Sequence, residues 1–370
     1  MDPATLESLL LREIRKSSEI SRRDLADRLG VARSTAGRRV DSLIERGLLR
    51  EKGLEERSGA GRPKRFLDLV GGHGCFLGID FDARFLYVVL VDFAQKTISE
   101  KQISLGRNPT RKKVLGILRD TLEVHHQQAP APIIGHGIGV PGRVQQSERI
   151  ALGYPYISDW ESVDLCAELQ LTAEQLCIEN NTRTIALGEY WLGKPNSIEN
   201  LVCLSIRTGI SAAVISDGKL FRGHHETAGE IRGWNVLGAT SGKRAWLEDE
   251  ATVRSIGKKS KTAPGEWEAF IEGCLASDAK SLGALDRFIS LHADTVTRLV
   301  QLSDPELVVI AGAFNELGDL YLEKLQSKCR RFLTDHYFPP PEIRYVKRAE
   351  FAGAHGAAAL AAQNFVPGEE

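Results

Sequence analysis

The chain has 370 residues, 42% of them hydrophobic, and a formal charge of -1, enough length for two or three domains that each bury a core. No run of about eighteen apolar residues and no signal peptide is present, which excludes a helical membrane span and predicts a cytoplasmic protein. Six scattered cysteines without a Cys-x-x-Cys pair predict reduced thiols, with neither disulfides nor a zinc site. The balanced charge conceals an asymmetry. Residues 1–70 hold 16 Lys+Arg against 12 Asp+Glu, about +4, and the remainder 32 against 37, about -5. A basic head on an acidic body suits a polyanion partner for the head only.

Leu6, Leu9, Leu10 and Ile14 form a helical apolar stripe. Ser21, three residues before Asp24, reads as the N-cap of a helix over 22–29, and Gly30 as the tight turn after it. A third helix is predicted from Arg33 to Arg46, with Val40, Leu43 and Ile44 inward and Gly47 as its stop. This is the helix-turn-helix pattern, whose second helix enters the major groove of DNA. Arg33, Ser34, Thr35, Arg38 and Arg39 lie early on its outward face, where arginine forks onto guanine and hydroxyls reach bases or phosphates. Strands over 48–52 and 65–69 then flank a wing, Ser58-Gly59-Ala60-Gly61-Arg62-Pro63-Lys64-Arg65. Gly61-Arg62-Pro63 is similar to an AT-hook core, which lays a flat arginine in a narrow A·T minor groove, so Arg62 and Lys64 are predicted DNA contacts. The head is expected to be separable from the rest.

Beyond it, the apolar run Cys75–Asp80 and the strand over 85–91 open an α/β body. The order of helix-turn-helix, Gly-Arg-Pro wing and this body resembles the regulator branch of the ROK family (repressor, open reading frame, kinase) over nearly the whole chain. The resemblance implies a winged helix-turn-helix followed by a two-lobed actin-like ATPase (ribonuclease H-like) sugar-kinase fold, α+β then α/β. Its expected parts are residues 1–70, a first lobe over 71–185 and a second over 186–370, with the C-terminal helix able to return to the first.

The motifs of catalysis depart from the family. Its first phosphate loop, Asp-x-Gly-Gly-Thr, is Asp80-Phe81-Asp82-Ala83-Arg84 here, and the second has lost three glycines in Arg207-Thr208-Gly209-Ile210-Ser211-Ala212-Ala213. The glycines bring backbone N–H groups to phosphate, and Asp82 repels it. Where the family has its catalytic aspartate, Glu179-Asn180-Asn181 places an amide, which has no basic site for the sugar proton. The sugar side is better kept. Gly137-Ile138-Gly139-Val140-Pro141-Gly142 matches the strand and Pro-Gly turn of the sugar cleft, and the resemblance implies sugar contacts by Asn180, Asn181, Glu230 and Glu248. The family's zinc-binding histidine and cysteine knuckle are missing, since Arg232-Gly233-Trp234 follows Ile231 and no cysteine lies nearby. Arg207, Arg232 and Arg244 are expected to fill the vacated ATP and zinc positions with salt bridges, an anionic sugar being the alternative. His125-His126 and His224-His225 read as surface or cleft-rim pairs, and Gly353–Leu360 as a small-residue helix packed on a sheet.

The reading is a sugar-responsive regulator, a repressor by its family resemblance, without catalytic residues, metal or cofactor. Its partners are double-stranded operator DNA, a monosaccharide or derivative, and a second copy of the chain, because helix-turn-helix proteins read paired half-sites. The alternatives are an active sugar kinase with a DNA-binding appendage and a regulator answering to a protein partner.

Overall fold

The computed structural model describes residues 3–17, 19–54, 65–192, 198–237, 243–256, 266–333 and 339–368. Local chemistry sets the first elements, α1 (Pro3–Lys16), α2 (Arg22–Leu29), α3 (Arg33–Glu45), β1 (Leu49–Leu54) and β2 (Arg65–Leu69). Ser21 opens α2 with a reciprocal capping box: Asp24 N–H donates to Ser21 Oγ at 3.3 Å and Ser21 N–H to Asp24 Oδ2 at 3.0 Å. Gly30 closes α2 at φ +64°, a left-handed conformation that glycine adopts without steric cost. β1 and β2 pair antiparallel, which makes the winged helix.

The buried stripe of α1 is Leu6, Leu10, Leu11 and Ile14, while Leu9 is half-buried. The stripe is shifted and widened because α1 packs on two partners, the head and the body. One continuous apolar cluster joins Leu10, Leu11 and Leu43 of the head to Phe76 of the first sheet, to Phe93 just after the strand Phe85–Asp92 and to Ala362 of the last helix. The expectation of a separable head is therefore corrected.

The body is one supersecondary plan used twice. Its first sheet comprises β3 (Cys75–Phe81), β4 (Phe85–Asp92), β5 (Thr97–Ser104), β6 (Ile133–Val140) and, after β7 (Arg143–Gln145), β8 (Ile150–Gly153) and β9 (Glu161–Asp164), β10 (Leu176–Asn180). The strand order is β5-β4-β3-β6-β10, antiparallel through the first three and parallel through the rest. β7, β8 and β9 form a separate small sheet over the cleft mouth. The second sheet comprises β11 (Leu201–Ile206), β12 (Ile210–Ser216), β13 (Lys219–Leu220) and, after the hairpin β14 (Asn235–Leu237) and β15 (Arg244–Trp246), β16 (Leu307–Gly312) and β17 (Glu342–Tyr345). Its order, β13-β12-β11-β16-β17, and its strand senses repeat the first.

Helices cover both sheets. α4 (Arg111–Gln128) buries Val114, Leu118 and Leu122 on the first sheet and is followed by the short α5 (Leu165–Leu169). Between the sheets lies α6 (Asn181–Leu192). After α7 (Leu247–Ala251), the outer face of the second sheet carries α8 (Glu266–Leu275), α9 (Ala279–Ser303) and α10 (Asp319–Leu333). The closing helix α11 (Ala352–Asn364) returns to pack on β3, β6 and α6. Its small residues permit backbone contact: a Cβ at Gly356 would stand 1.7 Å from the Thr184 carbonyl oxygen, and one at Gly137 1.8 Å from that of Ala357. No described helix is long and apolar enough to cross a membrane.

Candidate functional site

On the reading surface, Arg33, Ser34 and Arg38 are exposed and Thr35 and Arg39 half-buried. Arg33 stands 3.7 Å from Asp27, and Arg38 enters no ion pair among the described residues. Arg39 departs from the expected outward course. Its guanidinium lies 3.6 Å from Glu7 of α1, a carboxylate only 3% exposed that also takes a 2.8 Å bond from Arg46. A buried anion draws cations inward, so Arg39 links α3 to α1. Arg62 and Lys64 lie outside the described residues.

Between the two lobes is a cavity of about 840 Å³. The N-terminus of α6 forms its floor, and Asn180 caps that helix. Its Oδ1 accepts from Thr182 N–H (3.0 Å) and Arg183 N–H (3.3 Å), while its amide donates to the Gly142 carbonyl at 2.8 Å. Asn180 is thus committed to the Pro-Gly turn and the cap, and keeps one amide hydrogen for a ligand. Asn181 donates to the Phe81 carbonyl at 3.2 Å and leaves its oxygen on the cavity side. Glu230 lines the cavity with no side-chain hydrogen bond among the described residues. Burial pushes its carboxyl upward; Arg232, Arg183 and Arg143 draw it back. Glu248 accepts from Tyr156 Oη at 2.7 Å, and Arg254 lies 4.0 Å from it while stacking 4.6 Å above the Tyr156 ring.

The aromatic wall of Tyr154, Tyr156 and Trp160 was not anticipated. A run of aromatics after Gly153 is its signal in the sequence, because amphipathic rings can line a cleft with an apolar face and a polar edge. Equally unforeseen is Glu179, fully buried between Arg183 (3.2 Å) and Arg222 (2.8 Å), which ties α6 to the second lobe. Thr182 Oγ1 and Ser211 Oγ meet at 2.5 Å across the same boundary.

The two loops that the sequence aligns with the family's phosphate loops bond to their own side chains. Asp82 Oδ1 accepts from the N–H groups of Arg84 (2.7 Å) and Phe85 (3.0 Å), so the donors at this turn are already satisfied. From the second loop, Arg207 reaches across to Asp80 Oδ2 at 2.7 Å. Burial pushes the Asp80 carboxyl upward and Arg207 draws it back. Burial pulls Arg207 down, but Asp80 and Asp82 together hold it above its ordinary value and charged. Behind Arg207 a void of about 240 Å³ remains, with Asp82, Glu316 and Glu350 on its walls. Arg207 thus forms a buried salt bridge, as expected of it. Arg232 and Arg244 form no salt bridge among the described residues: both are exposed, and Arg232 stands on the cavity wall, where its charge acts on Glu230.

The histidine pairs divide. His224 and His225 are exposed, whereas His125 is buried, with Nδ1 2.7 Å from the Thr121 carbonyl. Its position on the inner face of α4 overrides the surface reading. His126 pairs instead with buried His136 at 3.0 Å.

A winged helix fused to a duplicated two-lobed body with a polar cleft between its lobes defines a regulator-type member of the sugar-kinase class of folds. Residues 76–364 match the ROK family, and the chain belongs to it; residues 1–60 match the MarR family. The chain is 29% identical over 366 residues to the xylose repressor of Caldicellulosiruptor bescii, covering 92% of this chain and 91% of that one. Its fold is similar to that of a ROK family transcriptional regulator homologous to the E. coli MLC protein, with TM-score 0.79, 20% identity and coverage of 98% and 96%. A ROK family glucokinase from Streptomyces griseus, in complex with glucose and AMPPNP, matches with TM-score 0.65, 21% identity and coverage of 78% and 100%.

Proposed function

We propose that the protein is a sugar-responsive transcriptional repressor whose kinase-like body binds a monosaccharide without phosphorylating it. The observation that carries this reading is Asn181, which presents an amide to the cleft where the family places its general base. Arg207 seated on Asp80 and the self-satisfied turn of Asp82 support it from the phosphate side. The effector site is formed by Asn181, Glu230 and Glu248, with the remaining amide hydrogen of Asn180 and the aromatic wall. Its mixture of donors and acceptors matches a ring of hydroxyls. Similarity to a xylose repressor makes D-xylose the first probe.

Residues 1–70 read DNA, with Arg38 and Ser34 over the bases and Arg62 and Lys64 along the minor groove. Residues 71–185 and 186–370 form the lobes, α11 belonging with the first. Two copies acting in the cytoplasm span paired half-sites, and sugar shifts the population of lobe closures and so the spacing of the two heads. The test pairs operator binding with D-xylose titration and an ATP-dependent phosphorylation assay. Operator affinity changes with sugar while no sugar phosphate forms, in the natural chain or in Asn181→Asp. Turnover by the natural chain overturns the reading.

A further inference from the structure

The N-terminal helix is fastened to the C-terminal one by cations at a helix end. The last carbonyls of α11 have no partner within the helix, and they carry the negative end of its dipole. Two arginines of α1 meet them: Arg12 Nη2 donates to the Gln363 carbonyl at 2.9 Å and Arg15 Nη1 to that of Ala362 at 2.7 Å. The Arg15 guanidinium lies 5.6 Å from the Phe76 ring centre and 5.0 Å from that of Phe93. Among the described residues its Nε and Nη2 are shielded from solvent without a hydrogen-bond partner, and the Ala362 carbonyl and the two aromatic faces meet the charge. A third cation extends the fastening to the reading helix: Arg46, which caps α3, donates to Glu7 of α1 at 2.8 Å and to the Gly368 carbonyl at 2.7 Å.

The other end of this assembly is the cleft. Asn180 and Asn181 lie at the start of α6, and α6 meets α11 backbone to backbone at Gly356, where no Cβ fits. Surfaces in such contact move together, because close-packed interiors do not deform continuously.

We propose that Arg12 and Arg15 weld α1 to the end of α11, so that α6, α11 and α1 form one rigid lever that carries lobe position from the cleft to the reading head. Arg15 is a positioning residue: it touches neither DNA nor sugar, and it sets where the head points. The weld stands on the contacts above; its use as a sugar lever rests on the proposed function.

The full chain is compared with Arg15→Met and with Arg12→Gln/Arg15→Met. Methionine keeps an apolar stem on Phe76 and Phe93 while losing the carbonyl bond and the charge. Hydrogen exchange, read without ligand, is expected to rise in both 4–16 and 357–364. Calorimetric D-xylose binding is expected to be unchanged, while the sugar-dependent change in operator affinity falls from the ~5–150-fold typical of coupled sites to within ~2-fold. Variants that keep the natural response to D-xylose overturn the lever. If the natural chain itself ignores D-xylose, that choice of effector fails separately, and the exchange arm decides the weld: retained protection in both helices overturns it, joint loss supports it.

Discussion

Arg207 and Asp80 join the two lobes at 2.7 Å, and their pairing makes a sharp test at the level of single side chains. Removing one partner leaves the other as an uncompensated buried charge, which typically costs about 3–5 kcal/mol. Arg207→Met alone is expected to lower the urea midpoint strongly, and Asp80→Asn/Arg207→Met to recover most of the loss; an additive double variant would show that the pair is not coupled. At the proposed effector site, Glu230 has no side-chain hydrogen bond among the described residues, and Glu248 is already held by Tyr156. A hydrogen bond to a charged group contributes about 1.5–3 kcal/mol, so Glu230→Gln is expected to weaken D-xylose binding by one to two orders of magnitude in calorimetry. Ligand-free operator affinity is expected to stay at the natural level. An unchanged D-xylose affinity would move the site away from Glu230.

Among the elements, α9 carries a proton-sensitive joint. His292 is fully buried, with Nε2 2.8 Å from the Ala251 carbonyl and Nδ1 2.9 Å from Tyr321 Oη. Nε2–H donates, and Nδ1 accepts from the tyrosine, so the ring is neutral with both nitrogens in use. Burial pushes its pKa down to about 4, and burial does the same to His136, also to about 4. The unfolded chain therefore binds these protons between pH ~6.5 and ~4 and the folded chain does not, so stability falls with pH through that window. The loss is at most about 3 kcal/mol per histidine. Urea titrations from pH 7.5 to 5 check it: His292→Gln is expected to flatten the decline, and a natural chain equally stable at both ends would contradict it.

Elements whose causes are local were legible in the sequence. The capping box of Ser21 and Asp24, the Gly30 turn and the small residues of α11 each carry their reason within a few positions. What escaped depends on long-range meeting. Tyr156 faces Glu248 from 92 residues away, Glu179 gathers Arg222 from 43, and Arg39 turns to Glu7 because α1 presents a buried carboxylate. No short motif encodes those partners. Similarly, His125 follows the helical phase of α4, which outweighs its adjacency to exposed His126.

At the scale of the whole molecule, a basic head on an acidic body predicts DNA binding that weakens steeply with salt, since each neutralised phosphate releases a counterion. Arg38→Ala is expected to cost about 1–3 kcal/mol at the operator and to relax sequence preference at one position. Fluorescence anisotropy across a salt series separates the two kinds of contact. A uniform loss over all sequences, with a shallower salt slope, would place Arg38 on phosphate instead of a base.

The junction of α1 with α11 also bears on how the protein is made. Arg12 and its acceptor at Gln363 are 351 positions apart, so α1 leaves the ribosome long before α11, the helix that completes it. At about 5–20 residues per second, the nascent N-terminus waits roughly 20–70 s for that surface. Until then Leu10, Leu11 and Ile14 lack the wall formed by Phe76, Phe93 and Ala362. A translation product ending before α11 would present an unfinished head, and competence to occupy DNA would arrive only once α11 is in place.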